Sequence, residues 1–401
     1  MKFPKVLLTV LLLLSVSFTY SQVIKKTGGY ARLSAIGSNP YVMDPYFNTL
    51  NPSWNAVYNN FLLGDLGSSA GTPFSSGGYG QYLSGSFQVG SNWTLGGILA
   101  RNDFNGMSIA LLDPGSYGSF SPSYPGVVST VNDIAGPGSV VPLDNNVELI
   151  GTYTYGKLIL GLGLAYASTS NEINPPVGAS TEGSANQFGV NLGLISDVTK
   201  DLKLDIGASL ILPSASLKPD TLNETNASQT IITVTGRAFW QLNNNLKLVP
   251  LVLFFTESGS IDSGGTSAAS IDMPSFTWFE FGVGLNYQIG DFLIAGGARF
   301  STASLTTPAV NNVSPELSSS ETVLPIWNIG LEWNLLDWLV GRLGYVAYSG
   351  SRSQEFPNTA TSKTEFIRTF FGPSQMGATL GVGFRFVDFS LDATINEDVL
   401  R

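Results

Sequence analysis

The sequence predicts an all-β chain: a transmembrane antiparallel up-and-down β-barrel of 14 to 16 strands, with short periplasmic turns and longer extracellular loops. Three observations predict it: an N-terminal export signal, period-two alternation through most of the mature chain, and a short aromatic word that returns every 44 to 51 residues. Composition narrows the function. The 401 residues include 45 glycines but only 12% charged residues, about half the charged share of an ordinary soluble domain. Cysteine and histidine are absent, which excludes zinc-finger and disulfide frameworks, thiol nucleophiles and every mechanism that needs an imidazole base. No enzymatic activity, cofactor or metal is expected. A net charge of −10 gives nucleic acid no basic face to bind.

The chain opens with Lys2 and Lys5, an apolar run over residues 6–16, and small residues at Thr19 and Ser21. This is the tripartite pattern of a secretory signal peptide over residues 1–21, cut before Gln22. An apolar run of that length at ~1.5 Å per residue reaches roughly 16 Å, about half of a ~30 Å hydrocarbon core. Beyond Gln22 the longest apolar run, residues 248–255, is far short of the roughly 18 residues of a spanning helix. If the exported chain meets a membrane again it must do so as a closed barrel, which satisfies every backbone polar group in lipid.

Residues 23–56 lack strand alternation and carry Gly28-Gly29, Asn39-Pro40, Asp44-Pro45 and Asn51-Pro52, which are turn signals. Residues 22–56 are therefore expected to form a turn-rich lead-in tucked under or into the barrel as a hatch, with Asp44, Asn51 and Pro52 as its candidate residues. The barrel itself is expected over 57–401.

Its strands are predicted near residues 57–67, 78–90, 92–102, 145–155, 157–169, 185–197, 202–212, 229–242, 245–257, 273–288, 291–302, 321–334, 338–349, 374–386 and 388–395. Alternation carries each one: Leu158, Leu160, Leu162, Leu164 and Tyr166 share a face, as do Phe188, Val190, Leu192 and Leu194 opposite Gln187, Gly189, Asn191 and Gly193. In the strand that ends at Trp333 the apolar register reads Val323, Trp327, Ile329, Leu331 and Trp333. Single-chain bacterial barrels close with an even number of strands, so fifteen predicted strands imply one missing closing strand, or fourteen if the first and one other are misassigned.

The recurring word is a polar residue, a large apolar one, any residue, then Leu, Ile or Val, as in Asn92-Trp93-Thr94-Leu95, Asp291-Phe292-Leu293-Ile294 and Asp337-Trp338-Leu339-Val340. It opens strands just after tight turns, and the strand before each turn ends on another aromatic. Trp93, Tyr155, Trp240, Tyr287, Phe292, Trp333, Trp338, Phe386 and Phe389 therefore collect at one level, the interfacial girdle of a membrane barrel. A β-propeller would also repeat near this period, but each repeat here has room for only two membrane-crossing strands. The opposite ends are joined by polar loops near 112–144, 171–184, 213–226, 259–272, 303–320 and 351–373.

The inward registers carry Glu148, Lys203, Asp205, Arg237, Glu280, Arg299, Glu332 and Arg385, with Phe276 and Trp278 beside Glu280. These are the candidate lumen-lining residues. Charges of both signs can brace a barrel wall by ion pairing or can line a substrate path, and a charge facing lipid at mid-depth costs about 2 to 4 kcal/mol. Arg342 is placed outward by the repeat word and inward by Leu339, Leu343 and Tyr345, a conflict that a bulge would explain. The sequons at Asn92, Asn223 and Asn226 are chance matches in a bacterial export context.

Asn51-Pro52-Ser53 before the first strand, after Ala31-Arg32-Leu33-Ser34-Ala35-Ile36-Gly37, resembles the lead-in of the FadL-type outer-membrane transporters, where a short hatch with an Asn-Pro-Ala-like turn precedes the barrel. Ser53 stands in place of Ala, and Arg401 stands where the family ends on an aromatic. The resemblance implies passage of hydrophobic compounds such as long-chain fatty acids through a hatch-plugged barrel in the bacterial outer membrane. The partners expected are outer-membrane lipid, a hydrophobic small-molecule ligand and the barrel-assembly machinery. The competing readings are an open porin, a secretion-associated barrel, and an adhesion or scaffold barrel.

Overall fold

The computed structural model describes residues 28–65, 82–100, 127–135, 139–140, 146–176, 180–219, 223–262, 270–309, 314–387 and 389–396. The predicted signal peptide and most of the predicted loop over 112–144 lie outside them. The strands are β1 (Phe61–Asp65), β2 (Tyr82–Val89), β3 (Trp93–Ala100), β4 (Asn146–Tyr155), β5 (Leu158–Ile173), β6 (Thr181–Asp197), β7 (Leu202–Pro219), β8 (Thr225–Gln241), β9 (Leu246–Asp262), β10 (Ser270–Asp272), β11 (Ser275–Ile289), β12 (Phe292–Thr307), β13 (Leu317–Leu336), β14 (Leu339–Thr359), β15 (Ser362–Arg385) and β16 (Ser390–Asn396). They pair antiparallel in chain order from β1 to β16, with the three-residue β10 off the path on the end of β9. This is the up-and-down meander of a β-barrel, with β1 and β16 as the two ends of the path among the described residues.

The faces are inverted relative to a water-soluble sheet. On β11, Phe276, Trp278 and Glu280 are buried while Phe279, Phe281, Val283 and Leu285 stand 37%, 51%, 50% and 45% exposed on the other side. Leu160, Leu162 and Leu164 do the same on β5, and Leu343 and Tyr345 on β14. An outward apolar surface this continuous is stable against lipid and not against water.

Three short helical pieces precede β1 among the described residues: α1 (Tyr30–Ala35), a 3-10 turn (Pro45–Thr49) and α2 (Trp54–Val57). Of these, α1 packs on β14, β15 and β16, and α2 packs on β2, β3 and β4. One segment of about thirty residues thus touches both ends of the strand order, which a sheet permits only by curling around it.

Several sequence expectations need correction. The first strand begins at Phe61, not residue 57, because Trp54–Val57 is helical. The strands run well past the predicted loop boundaries: β7 continues to Pro219, and the expected loop over 351–373 is largely the hairpin of β14 and β15. Those Ser- and Thr-rich extensions lack a continuous outward apolar face, so the alternation of the membrane band does not extend to them, yet the backbone ladder carries on. Within 112–144 a helix, α3 (Val127–Ala135), forms where only loop was expected. Val323 is buried, not on the outward register of Trp327 and Ile329, because the ladder slips between Val323 and Ile326 and both face inward. Pro325 sits in that bulge, where its missing N–H breaks no ladder bond. Arg342 is buried and inward, as Leu343 and Tyr345 imply, and the β13–β14 ladder shifts register at Asn334/Leu336, opposite Val340 and Leu339 just before it.

Candidate functional site

The N-terminal segment is built on side-chain caps. Asp44 is fully buried and its Oδ1 accepts from the backbone N–H groups of Gly29 and Tyr46, both at 2.9 Å, while Oδ2 accepts from Arg32 Nη1 at 2.9 Å. With Pro45 at the first position, this caps the 3-10 turn in the manner of a helix N-terminus. Asn51 makes a second turn: its Oδ1 accepts from Ser53 N at 2.8 Å across Pro52. Its amide then reaches the wall, donating to Asp205 Oδ1 at 2.6 Å and to Leu194 O at 3.2 Å.

The wall answers with charge. Asp205 also accepts from Trp54 Nε1 at 3.1 Å and from Arg237 Nη2 at 2.5 Å. Arg237, directly opposite Asp205 in the ladder, donates to Pro40 O at 3.0 Å and Val42 O at 3.2 Å and lies 3.7 Å over the Phe47 ring. On the far side, Arg32 donates to Glu332 at 2.8 Å, Glu332 accepts from Arg342 at 2.6 Å, and Asp392 accepts from Arg342 at 2.7 Å and Arg385 at 2.8 Å. An alternating chain of six charges therefore ties the segment to β13, β14, β15 and β16. Between the two anchors, Asn39 donates to Ala295 O, Asn286 to Tyr41 O and Asn328 to Gly37 O, at 2.9, 2.7 and 2.7 Å.

The sequence-predicted residues divide by the partners they hold. Asp205, Arg237, Glu332 and Arg385 gather around the N-terminal segment. Glu280 pairs with Arg299 at 2.8 Å, and Arg299 also donates to Asn328 at 2.7 Å. Glu148 is fully buried and accepts from Asn191 at 2.6 Å. Lys203 bonds Asp197 across the rim at 2.7 Å and joins none of these groups. Phe276 and Trp278 belong to an inner-wall apolar patch with Ile211, Ile231, Leu253 and Phe255. Beside it, a narrow cleft of about 20 Å³ lies between Phe47, Leu50 and Asn51 of the segment and Asp205, Arg237, Leu251, Leu253 and Glu280 of the wall. Farther along the wall, Val127 and Val131 of α3 rest on a ledge of small residues, Ala185, Ala215 and Ala227.

The nine aromatics expected at one level all lie at the turn end of their strands, with Trp93, Tyr155, Trp240, Tyr287, Trp333, Trp338, Phe386 and Phe389 exposed by 39% to 72% on the outer face. Phe292 is half-buried because it stacks on Trp333 at 4.9 Å; Phe386 and Phe389 stack likewise at 6.1 Å.

Sequence reading missed Trp54, Tyr41, Asn286, Asn328 and Asp392. A signal for this docking was present in the small residues of the inward registers. A Cβ on Gly193 would collide with the Asn51 carboxamide oxygen, and one on Gly284 with the Tyr41 ring.

No protein-family model and no curated protein matches the chain. Among solved structures it is similar to a Pseudomonas aeruginosa FadL homologue, at 13% identity over 92% of this chain and 98% of that one, with a TM-score of 0.43. It is similar to the Pseudomonas putida toluene transporter TodX at 11% identity over 63% and 80%, TM-score 0.29. A third is the Escherichia coli outer-membrane transporter YddB, at 9% identity over 78% and 53%, TM-score 0.40.

Proposed function

We propose that this chain passes hydrophobic or small solutes across the bacterial outer membrane through a barrel gated by its N-terminal segment, residues 28–57, acting as a hatch. The carrying observation is how the segment is held. Its bonds to the wall come from single side chains such as Arg237, Asn286 and Asn328, with no strand of its own added to the sheet, so it can leave without unzipping the barrel. The apolar side chains Phe47 and Leu50 of the segment, facing Leu251 and Leu253 of the wall, support an apolar path once the segment moves aside. The test is uptake of the fluorescent probe N-phenylnaphthylamine by cells with an intact lipopolysaccharide layer. Cells producing the protein should take it up several-fold faster than cells lacking it, and equal rates would contradict the reading.

A further inference from the structure

Ladder register places the inner-wall patch in rows. Ile211, Ile231, Glu257 and Phe276 lie opposite one another across β7, β8, β9 and β11, and Thr233, Phe255 and Trp278 form the next row. Gln229 stands two residues before Ile231 on the same face, and Gln187 lies opposite Pro213, two beyond Ile211. Trp278, Gln229 and Gln187 are 4%, 5% and 1% exposed. Yet Trp278 Nε1, Gln229 Nε2 and Gln187 Oε1 have no hydrogen-bond partner. Buried polar atoms are nearly always paired, and each exception asks for a missing partner. The contrast is within the chain: the buried Trp54 Nε1 is bonded to Asp205. Two unmet donors and one unmet acceptor border a single apolar patch.

We propose that this patch binds a neutral ligand, apolar along its body with a hydroxyl, ester or carbonyl oxygen at one end, in preference to a carboxylate of the same length. The inference rests on the transporter reading and narrows its substrate class. Ile231, Phe255 and Phe276 take the apolar body and Trp278 Nε1 donates to the ligand oxygen at one end, while Gln229 stands on the far side of the Ile231–Phe276 row. Gln187 Oε1 shares that far row through Pro213 and is left to accept from a second hydroxyl. Among the described residues an anion finds no unengaged counter-charge on this stretch of wall: Arg237 is bonded to Asp205 and Arg299 to Glu280.

The experiment is equilibrium binding of radiolabelled dodecane, 1-dodecanol, methyl dodecanoate and dodecanoate to the protein in lipid nanodiscs, with empty nanodiscs subtracted. The alcohol and the ester should bind about tenfold more tightly than the carboxylate, the equivalent of one good hydrogen bond. Trp278→Phe should weaken the alcohol and ester several-fold and leave dodecane unchanged, whereas Gln229→Leu, on the far side of the patch, should leave the preference for alcohol and ester over carboxylate in place. Heat-modifiable migration on a gel reports whether each variant is a folded barrel. Dodecanoate binding as tightly as dodecanol overturns the proposal, as does a Trp278→Phe variant that loses dodecane equally. If dodecane binds without discrimination among the others, only this inference fails; if none of the four binds, the transporter reading fails with it.

Discussion

At the scale of single residues, the docking of the N-terminal segment depends on what is absent as much as on what is present. Gly284 leaves the space that the Tyr41 ring occupies, and Tyr41 OH then reaches Ala298 O at 3.2 Å. A Gly284→Val variant is expected to fold as a barrel, because valine suits a strand, but to expel the segment. Limited trypsin digestion checks this: Arg32 is buried and bonded on both sides in the docked state, so cleavage after it should become rapid in the variant and stay slow in the parent. The residue scale is also where the sequence was least legible. Glycine on an inward register reads simply as small, and nothing in the chain says that Asn51 or Tyr41 fills the gap. The pairing of Asp205 with Arg237 could be placed on one face by alternation, but their shared grip on Asn51, Trp54 and two carbonyls of the segment spans about 150 to 200 residues of sequence separation.

At the scale of elements, two anchors hold the segment: Asp205 with Arg237 on β7 and β8, and the charge chain from Arg32 to Arg385 on β13 to β16. Each is a buried ionic group whose attraction must offset its desolvation, so removing one member is far more damaging than replacing the pair. Arg237→Ala should weaken docking by about 3 to 5 kcal/mol, since it strands Asp205 and frees two carbonyls at once. The double variant Asp205→Asn with Arg237→Met should recover part of that loss. Frequency of channel openings in planar bilayers measures both. Strand existence was legible because lipid demands alternation, and the turn positions were legible because the aromatic word marks them. Strand ends were not. Beyond the apolar band the hairpins stand in polar surroundings on both faces, and the ladder irregularities on β12, β13 and β14, at Arg299/Ser301, Val323/Ile326 and Ala347/Ser349, lie side by side across the sheet. They mark the level where the Val323 register slipped out of the sequence pattern. Helix α3 was equally hidden, since its apolar side rests on the alanines of three distant strands.

At the scale of the whole molecule, the chain inverts the usual arrangement of a sheet: a continuous apolar surface outside, and inside it paired charges around an N-terminal segment that packs its own apolar side chains, such as Ile36, Phe47 and Trp54, against the wall. A substitution therefore reads opposite to its effect in a soluble protein. Leu162→Arg, at an outward position 46% exposed, should cost about 2 to 4 kcal/mol of stability in lipid vesicles, measured by reversible urea unfolding. The claim that matters most is that the N-terminal segment closes the barrel, and single-channel conductance tests it most directly. The intact protein should be electrically silent or open only in brief events, while a variant lacking residues 28–57 should pass a large, steady current. A steady current through the intact protein, unchanged by the deletion, would contradict the account.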